Sequence, residues 1–201
     1  MLEQQNALIL WGNQDTSQVN ARGYDAVSNS FTSSTSIVGL PTGFDIGPNL
    51  AMIWYETHEP GWSSYVYVYD RQADHWVHKS YFNASNNIWQ FTFTQVSDSL
   101  ALALMLSEIG PQQLQCEIYN LTTGAWESSV LGITTTYDPE QAPKAALSNN
   151  MAVVYDDNDY RYYDYIWVYA ADTVGWEEFR LPYSLELEMP IFGTNFLLFG
   201  A

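Results

Sequence analysis

The chain has 201 residues, which is enough for one domain with a sizeable core or for a compact array of repeats. Its composition, 47% hydrophobic and 16% aromatic, excludes a disordered chain and favours β-strands. The 23 acidic residues against 6 basic ones give a net charge of −17. Such a surface repels phosphate backbones and anionic lipid headgroups, so we expect neither nucleic acid nor a membrane as partner. A cation, a basic protein or a neutral glycan remains open.

The cysteine content and the N-terminal sequence limit which disulfides, metal sites and membrane segments the protein can have. With Cys116 as the one cysteine, the chain cannot form an intrachain disulfide or a cysteine-based metal site. The first residues lack a basic segment followed by a long apolar run, and no stretch approaches the roughly 20 apolar residues that span a bilayer. We therefore expect a soluble chain. The compartment stays open, with an extracellular location slightly favoured over a cytoplasmic one.

In chain order, the first repeated element is a short run of almost entirely apolar residues. Such runs are typical of strands that are covered on both faces. There are four of them: Ala7 to Trp11, Ala51 to Tyr55, Leu102 to Leu106 and Met151 to Tyr155.

The second repeated element is a tyrosine followed, after a polar turn of about six residues, by another aromatic residue. Each such segment predicts a hairpin whose second strand begins near that aromatic residue. The tyrosines are separated by 45, 50 and 50 residues, and so are their aromatic partners. The four pairs are Tyr24 with Phe31, Tyr69 with Trp76, Tyr119 with Trp126, and Tyr169 with Trp176.

Further strands flank these elements, and Trp89 to Thr94 shows the alternation of a strand with one buried face. Each repeat unit therefore has four strands, a to d in chain order, in units of about 6–48, 49–98, 99–148 and 149–194, with a surplus terminal strand at 195–201. One small twisted sheet cannot cover both of its faces, so neighbouring units must cover them. The sequence predicts a single all-β domain, 1–201, built as a β-propeller-like array of four four-stranded antiparallel blades.

At this point the sequence resembles the kelch repeat family. The matching features are the hydrophobic strand b, the Tyr-Asp or Tyr-Asn pair that ends strand c, the Trp six residues later, and a proline before strand a, as at Pro41, Pro143 and Pro190. The segment from Ala142 to Asp157 matches best. The family's double glycine after strand b is missing, since Gly12-Asn13, Glu56-Thr57, Ser107-Glu108 and Asp156-Asp157 stand there. The resemblance implies a propeller that binds its ligands through loops.

The positions at which the repeat units begin and end do not decide whether the units close into a ring. The chain begins inside a unit, at strand b, and a strand a near residues 188–192 would complete the blade that Leu8 begins. Three arrangements remain: a small closed ring with an added edge strand, a fragment of a larger propeller, or an open array that pairs with other chains through its edges. We favour the small ring.

The candidate site lies at one end of the blades, where the b–c and d–a loops emerge together. Loops on a rigid scaffold commonly carry function, and these are rich in acidic and aromatic residues. A solvated loop surface without a ligand would show the same composition. The predicted binding residues are Glu56, Glu59, Trp62, Glu108, Tyr137, Asp138, Asp156, Asp157, Asp159, Tyr160 and Tyr162.

A calcium site is the one cofactor hypothesis that the sequence raises. Asp156, Asn158 and Asp159 supply several oxygen ligands within a short segment, as hard cations require. The segment lacks the full spacing and the terminal Glu of an EF-hand loop. A polar hairpin turn explains the same residues.

No catalytic constellation stands out, because the acids are too numerous for any pair to be singled out. We therefore expect a non-catalytic module that binds a protein or a glycan. The alternatives are an assembly subunit that joins its neighbours by strand pairing, and a propeller carbohydrate-active enzyme or a fragment of a larger kelch-type protein.

Overall fold

The computed structural model describes residues 6–13, 18–26, 28–39, 41–57, 63–82, 89–107, 113–131, 143–156, 164–173, 175–181, 191–192 and 197–198. These residues form strands joined by turns. The strands are β1 (Asn6–Asn13), β2 (Gln18–Asp25), β3 (Ser30–Val38), β4 (Gly43–Ile46), β5 (Leu50–Thr57), β6 (Ser63–Asp70), β7 (His75–Phe82), β8 (Trp89–Val96), β9 (Leu100–Ser107), β10 (Leu114–Asn120), β11 (Ala125–Leu131), β12 (Lys144–Leu147), β13 (Met151–Asp156), β14 (Asp164–Ala170), β15 (Trp176–Leu181), β16 (Ile191–Phe192) and β17 (Leu197–Leu198).

The strands form five antiparallel sheets, in each of which spatial order follows chain order. Sheet 1 contains β1 to β3, sheet 2 contains β4 to β7, sheet 3 contains β8 to β11, sheet 4 contains β12 to β15, and sheet 5 contains β16 and β17. The predicted all-β, propeller-like array of antiparallel blades is confirmed. Three of the sheets have the full four strands, whereas sheet 1 has strands b, c and d among the described residues.

The register that the aromatic spacing predicts is confirmed in all four repeats. Tyr24 pairs with Phe31, Tyr69 with Trp76, Tyr119 with Trp126 and Tyr169 with Trp176 across the hairpins of strands c and d. On the other side, strand b places an alanine opposite each of these tyrosines: Ala7, Ala51, Ala101 and Ala152. The small side chain leaves room for the ring, and equivalent positions in the four sheets can be compared directly.

Successive sheets pack face to face, and we call the face toward the preceding sheet the front and the opposite face the back. Between sheets 1 and 2, Val19, Ala21 and Ile37 pack against Ile53, Tyr55 and Tyr67. The contact between sheets 2 and 3 is built around Tyr119, and the contact between sheets 3 and 4 around Trp167 and Tyr169. Burial of the apolar faces of neighbouring sheets drives this stacking.

The C-terminal strands form a hairpin of their own. Phe192 of β16 pairs with Leu197 of β17, just as Ile46 pairs with Ala51 in sheet 2. In the described residues, β16 therefore forms strand a of a fifth unit and does not pair with β1. The closure through residues 188–192 that we favoured is not formed in this structure, because β17 supplies the strand-b partner that β16 requires.

Candidate functional site: the acid-rich loop end

Strand connections alternate between the two ends of an antiparallel sheet, so the ends can be compared. One end, the turn end, carries short connections such as 47–49, 71–74, 97–99, 121–124 and 148–150. The other, the loop end, carries the connections 14–17, 39–42, 58–62, 83–88, 108–113, 132–143, 157–163 and 182–190. The loop-end connections hold nine acidic residues and one basic residue, Arg161. The nine acids are Asp15, Glu59, Glu108, Asp138, Glu140, Asp157, Asp159, Glu186 and Glu188.

Three acids at the turn end, Asp25, Asp70 and Asp74, are engaged within the protein. Asp70 is buried; it accepts hydrogen bonds from the Ala73 amide at 3.0 Å and from the Tyr119 hydroxyl of the next sheet at 2.8 Å. At the equivalent position of sheet 1, Asp25 forms an ion pair with Arg71 of sheet 2 at 2.8 Å. Both carboxylates join one sheet to the next.

Asp74 is held in the same way. Its Oδ1 accepts hydrogen bonds from the Ser33 amide at 2.9 Å and from the Tyr69 hydroxyl at 2.7 Å. The Ser33 amide and then the Tyr69 hydroxyl hold the pKa of the Asp74 carboxyl below its usual range, since both donors favour the charged form. This carboxylate therefore links the c–d turn of sheet 2 to the outer strand of sheet 1.

Between sheets 3 and 4, the turn-end contact uses a neutral side chain. The Asn120 Nδ2 donates to the Tyr169 hydroxyl and to the Ala171 carbonyl, each at 3.0 Å, and Tyr169 donates to Glu127 at 2.7 Å. Burial, reinforced by the hydrogen bond to Glu127, raises the pKa of Tyr169 to about 12. Asn120 occupies the position that Asp70 has in sheet 2, and its buried amide is used in this sheet-to-sheet contact.

Two predicted site residues lie on described strands. Glu56, near the end of β5, is half-buried, and its Oε1 accepts a hydrogen bond from the Phe91 amide of sheet 3 at 2.9 Å. It therefore joins two sheets at the loop end. Asp156 is the last residue of β13, paired with Tyr165. The other predicted binding residues lie outside the described residues: Glu59, Trp62, Glu108, Tyr137, Asp138, Asp157, Asp159, Tyr160 and Tyr162.

The calcium hypothesis stays a prediction, because Asn158 and Asp159 lie outside the described residues. Within the described ranges, no group of three or more His, Cys, Asp and Glu side chains could hold a metal ion. Cys116 is buried in β10, where burial raises the pKa of its thiol, and it packs as a small apolar residue in the core between sheets 3 and 4. Among the described residues, none forms a helix long and apolar enough to cross a membrane.

A buried charge on β10 was not expected from the sequence. Glu117 is fully buried and forms an ion pair with Lys79 of sheet 2 at 2.7 Å. Gln115 and Ser128 also donate to its carboxylate, at 2.6 and 2.7 Å. A buried carboxylate requires such partners. The signal in the sequence is a single acid within an otherwise largely apolar strand c.

A small cleft lies between sheets 1 and 2 at the turn end, lined by Tyr24, Asp25, Pro48, Tyr69 and Arg71 among others. Its volume is about 30 Å³. Ligand pockets are typically about 300–1,000 Å³, so this cleft has room for water rather than for an organic ligand.

No protein-family model matches the chain, and no curated protein matches it. The chain is similar in structure to the β-propeller domain of the Trilobed protease from Pyrococcus furiosus, with a TM-score of 0.46 and 10% identity over 96% of this chain and 59% of that one. The Pyrococcus horikoshii acylaminoacyl peptidase gives a TM-score of 0.43 and 10% identity over 90% of this chain and 31% of its own. Cobalt-substituted Synechocystis ACO gives a TM-score of 0.40 and 8% identity over 94% of this chain and 48% of its own. The chain thus spans between about a third and three fifths of the length of these proteins.

Proposed function

We propose that this chain is a non-catalytic binding module of kelch-like repeats whose loop end recognises a basic segment of a partner protein. The observation that carries the proposal is the contrast between the two ends. Asp25, Asp70 and Asp74 at the turn end form ion pairs and hydrogen bonds within the protein. The loop-end connections hold nine acids against one base. Negative charge concentrated at one end attracts and orients a cationic partner.

A protein partner is favoured over a glycan by the variety of the loops. Glycan binding by repeats would place equivalent aromatic residues in several units. Here the b–c connections differ in sequence between units: the second has Trp62, the fourth has Tyr160, Tyr162 and Tyr163, and the first and third have no aromatic residue. One asymmetric patch suits one protein surface.

A peptide of ten lysines tests the proposal, with its affinity measured by fluorescence anisotropy. Glu59→Lys, Glu108→Lys and Asp159→Lys should each weaken binding by about two- to fivefold, the range of a single exposed charge pair. The matched control is Asp172→Lys in the exposed c–d turn of sheet 4, which changes the net charge equally. We expect that variant to bind nearly as well as the parent chain.

Two outcomes would contradict the proposal. If Asp172→Lys weakens binding as much as the loop variants do, the peptide responds to the net charge of −17 and not to a site. If a glycan array gives specific binding that the loop variants abolish while peptide binding is unaffected, the ligand is a carbohydrate.

A further inference from the structure

Glu117 on β10 is a buried carboxylate that its own sheet does not neutralise. Its side chain has no exposed surface, and Gln115 and Ser128 of sheet 3 donate hydrogen bonds to it. Both of these donors are neutral. The positive charge comes from the preceding sheet, where the Nζ of Lys79 on β7 lies 2.7 Å from the Glu117 Oε2. Sheet 3 alone therefore leaves the charge of Glu117 uncompensated.

The position of Lys79 holds an uncharged residue in each of the other sheets. Lys79 pairs with Val66, three residues before the repeat tyrosine, on the back face of sheet 2. The residues that occupy the equivalent position are Thr35 in sheet 1, Ser129 in sheet 3 and Phe179 in sheet 4. The back faces of these sheets offer no cation at this point. Against any of them, Glu117 would lose its ion pair.

The position of Glu117, two residues before the repeat tyrosine, is apolar or aromatic in the other covered sheets. Sheet 2 has Tyr67 there and sheet 4 has Trp167, and both are buried in the apolar contact with the preceding sheet. Of the contacts between sheets 1 to 4, the contact between sheets 2 and 3 is thus the one in which these two positions hold a charge pair.

A buried ion pair affects correct and incorrect contacts differently. In the correct contact it adds little to stability, because the cost of removing both charges from water offsets their attraction. In an incorrect contact the carboxylate is buried without a cation, which is strongly unfavourable. Such a penalty distinguishes one partner from another, and chains of similar units misassemble readily without it.

We propose that the Lys79–Glu117 ion pair specifies the order in which the sheets stack, by making the back face of sheet 2 the surface on which sheet 3 can bury its front face at low cost. Sheet 3 stacked on sheet 1 would bury Glu117 opposite Thr35, which cannot neutralise it. The apolar residues around the pair drive stacking, and the pair decides which sheets meet.

Refolding of a double variant separates this role from a role in stability. Lys79→Met combined with Glu117→Leu replaces the pair by two apolar side chains. The native monomer of this variant, isolated by gel filtration, should unfold at the urea concentration of the parent chain or above it. After dilution from urea, the fraction of chains that regain the elution volume and near-ultraviolet circular dichroism of the parent should fall about threefold or more, because incorrect stacking no longer buries a lone charge.

Two single variants calibrate the result. Lys79→Met alone leaves Glu117 buried without a cation, so the ratio of folded to unfolded chains should fall about a hundredfold or more. Thr35→Met is the matched control, because it places the same side chain at the equivalent position of sheet 1 and keeps the ion pair. It should refold as completely as the parent chain.

Glu117→Gln protects the test against a folding defect in the double variant. The amide can keep the hydrogen bonds with Gln115 and Ser128, and Lys79, which is 27% exposed, can turn its ammonium group to water. This variant should also regain the native state in a smaller fraction of chains, by about twofold or more. If either this variant or the double variant refolds as completely as the parent, the pair does not specify the order. If neither forms native monomer, the pair is required for stability itself, and the proposal fails as well.

Discussion

Sheets 2 and 3 use the same repeat tyrosine in different ways, and the difference originates in one turn residue. The Tyr69 hydroxyl bonds to Asp74 in its own c–d turn, as the Tyr24 hydroxyl bonds to Asn29. In sheet 3 the same turn position is Gly124, which has no side chain to accept a bond, and the Tyr119 hydroxyl instead reaches Asp70 of the preceding sheet. The backbone φ is positive at all three turn positions, at 51°, 48° and 64°. Asn, Asp and Gly tolerate this conformation best.

The comparison teaches that a single turn residue decides whether the repeat tyrosine bonds within its own turn or reaches the preceding sheet directly. In sheets 3 and 4 the tyrosine contributes to sheet-to-sheet packing, with Tyr169 bonded to Asn120 and Glu127 of sheet 3. Between sheets 1 and 2 that role falls to the partly exposed Asp25–Arg71 ion pair and to Asp74, which is exposed and accepts a hydrogen bond from the Ser33 amide. Because these groups are exposed or partly exposed, we expect each of them to contribute less to stability than the buried Asp70–Tyr119 bond does.

The largest effect is expected from Asp70→Ala. The variant leaves the buried Tyr119 hydroxyl without its acceptor and removes the bond to the Ala73 amide. Unsatisfied buried polar groups cost about 1–3 kcal/mol each, so the free energy of unfolding should fall by about 2–4 kcal/mol in urea titrations. Asp25→Ala, at the equivalent position, should lower it by about 1 kcal/mol or less, because its ion pair is partly exposed. Equal losses in the two variants would contradict the difference between the contacts.

The second-largest effect is expected at alkaline pH, which should weaken the hydrogen bonds of the repeat tyrosines. The pKa of Tyr169 is raised from the ordinary value of 10 to about 12, and burial raises the pKa of Tyr69 and Tyr119 in the same direction. The folded state thus favours the neutral hydroxyl. Its contribution to stability is complete below pH 10 and is lost as the pH rises through 12.

Urea titrations between pH 8 and pH 12 measure this loss as a decreasing free energy of unfolding. In Tyr119→Phe the decrease should be shallower, because one titrating group is missing, although the variant starts less stable. Tyr24→Phe is the matched control, since that hydroxyl bonds at an exposed position in its own turn. An identical pH profile for Tyr119→Phe and the parent chain would show that the buried hydroxyls contribute nothing to the alkaline limit.

Substitution of Gly124 should have a smaller effect and test the turn directly. The space around a Cβ at this position is open, so the cost of Gly124→Ala is the strained φ of 64° alone, about 1 kcal/mol. Gly124→Asn should cost less, because Asn tolerates this conformation. It also offers Tyr119 an acceptor within its own turn, as Asn29 does for Tyr24. A double-mutant cycle with Asp70→Ala measures this. The decrease in the free energy of unfolding caused by Asp70→Ala should be smaller in the Gly124→Asn variant than in the parent chain. An unchanged loss would show that Tyr119 keeps its bond to sheet 2.

The repeat register could be predicted from the sequence because it depends on local geometry. The tyrosine and its aromatic partner lie seven residues apart on one hairpin, and their ring centroids are 5.2–5.6 Å apart in the four repeats. The contacts between sheets could not be predicted in the same way. Lys79 and Glu117 are 38 residues apart, and Asp70 and Tyr119 are 49 apart, so these pairs exist only once the sheets are stacked.

The ends of the array and the site were harder to predict. Spacing alone allowed β16 to complete sheet 1 or to begin a fifth sheet, and only its pairing with β17 decides between them. Of the predicted site, Glu56 proves to be half-buried and bonded to sheet 3. Its position at a strand end gave no sign of this, because the partner is the backbone amide of Phe91, 35 residues away. Loop residues such as Glu108 and Asp159 remain predictions.

Hydrogen exchange of the strand-b amides tests the central claim, that sheet 1 is an uncovered repeat and sheet 3 a covered one. In dilute protein, β1 (Asn6–Asn13) should exchange much faster than β9 (Leu100–Ser107), because β9 is paired on both sides and β1, in the described residues, on one. A β1 strand as protected as β9 in dilute protein would contradict the account.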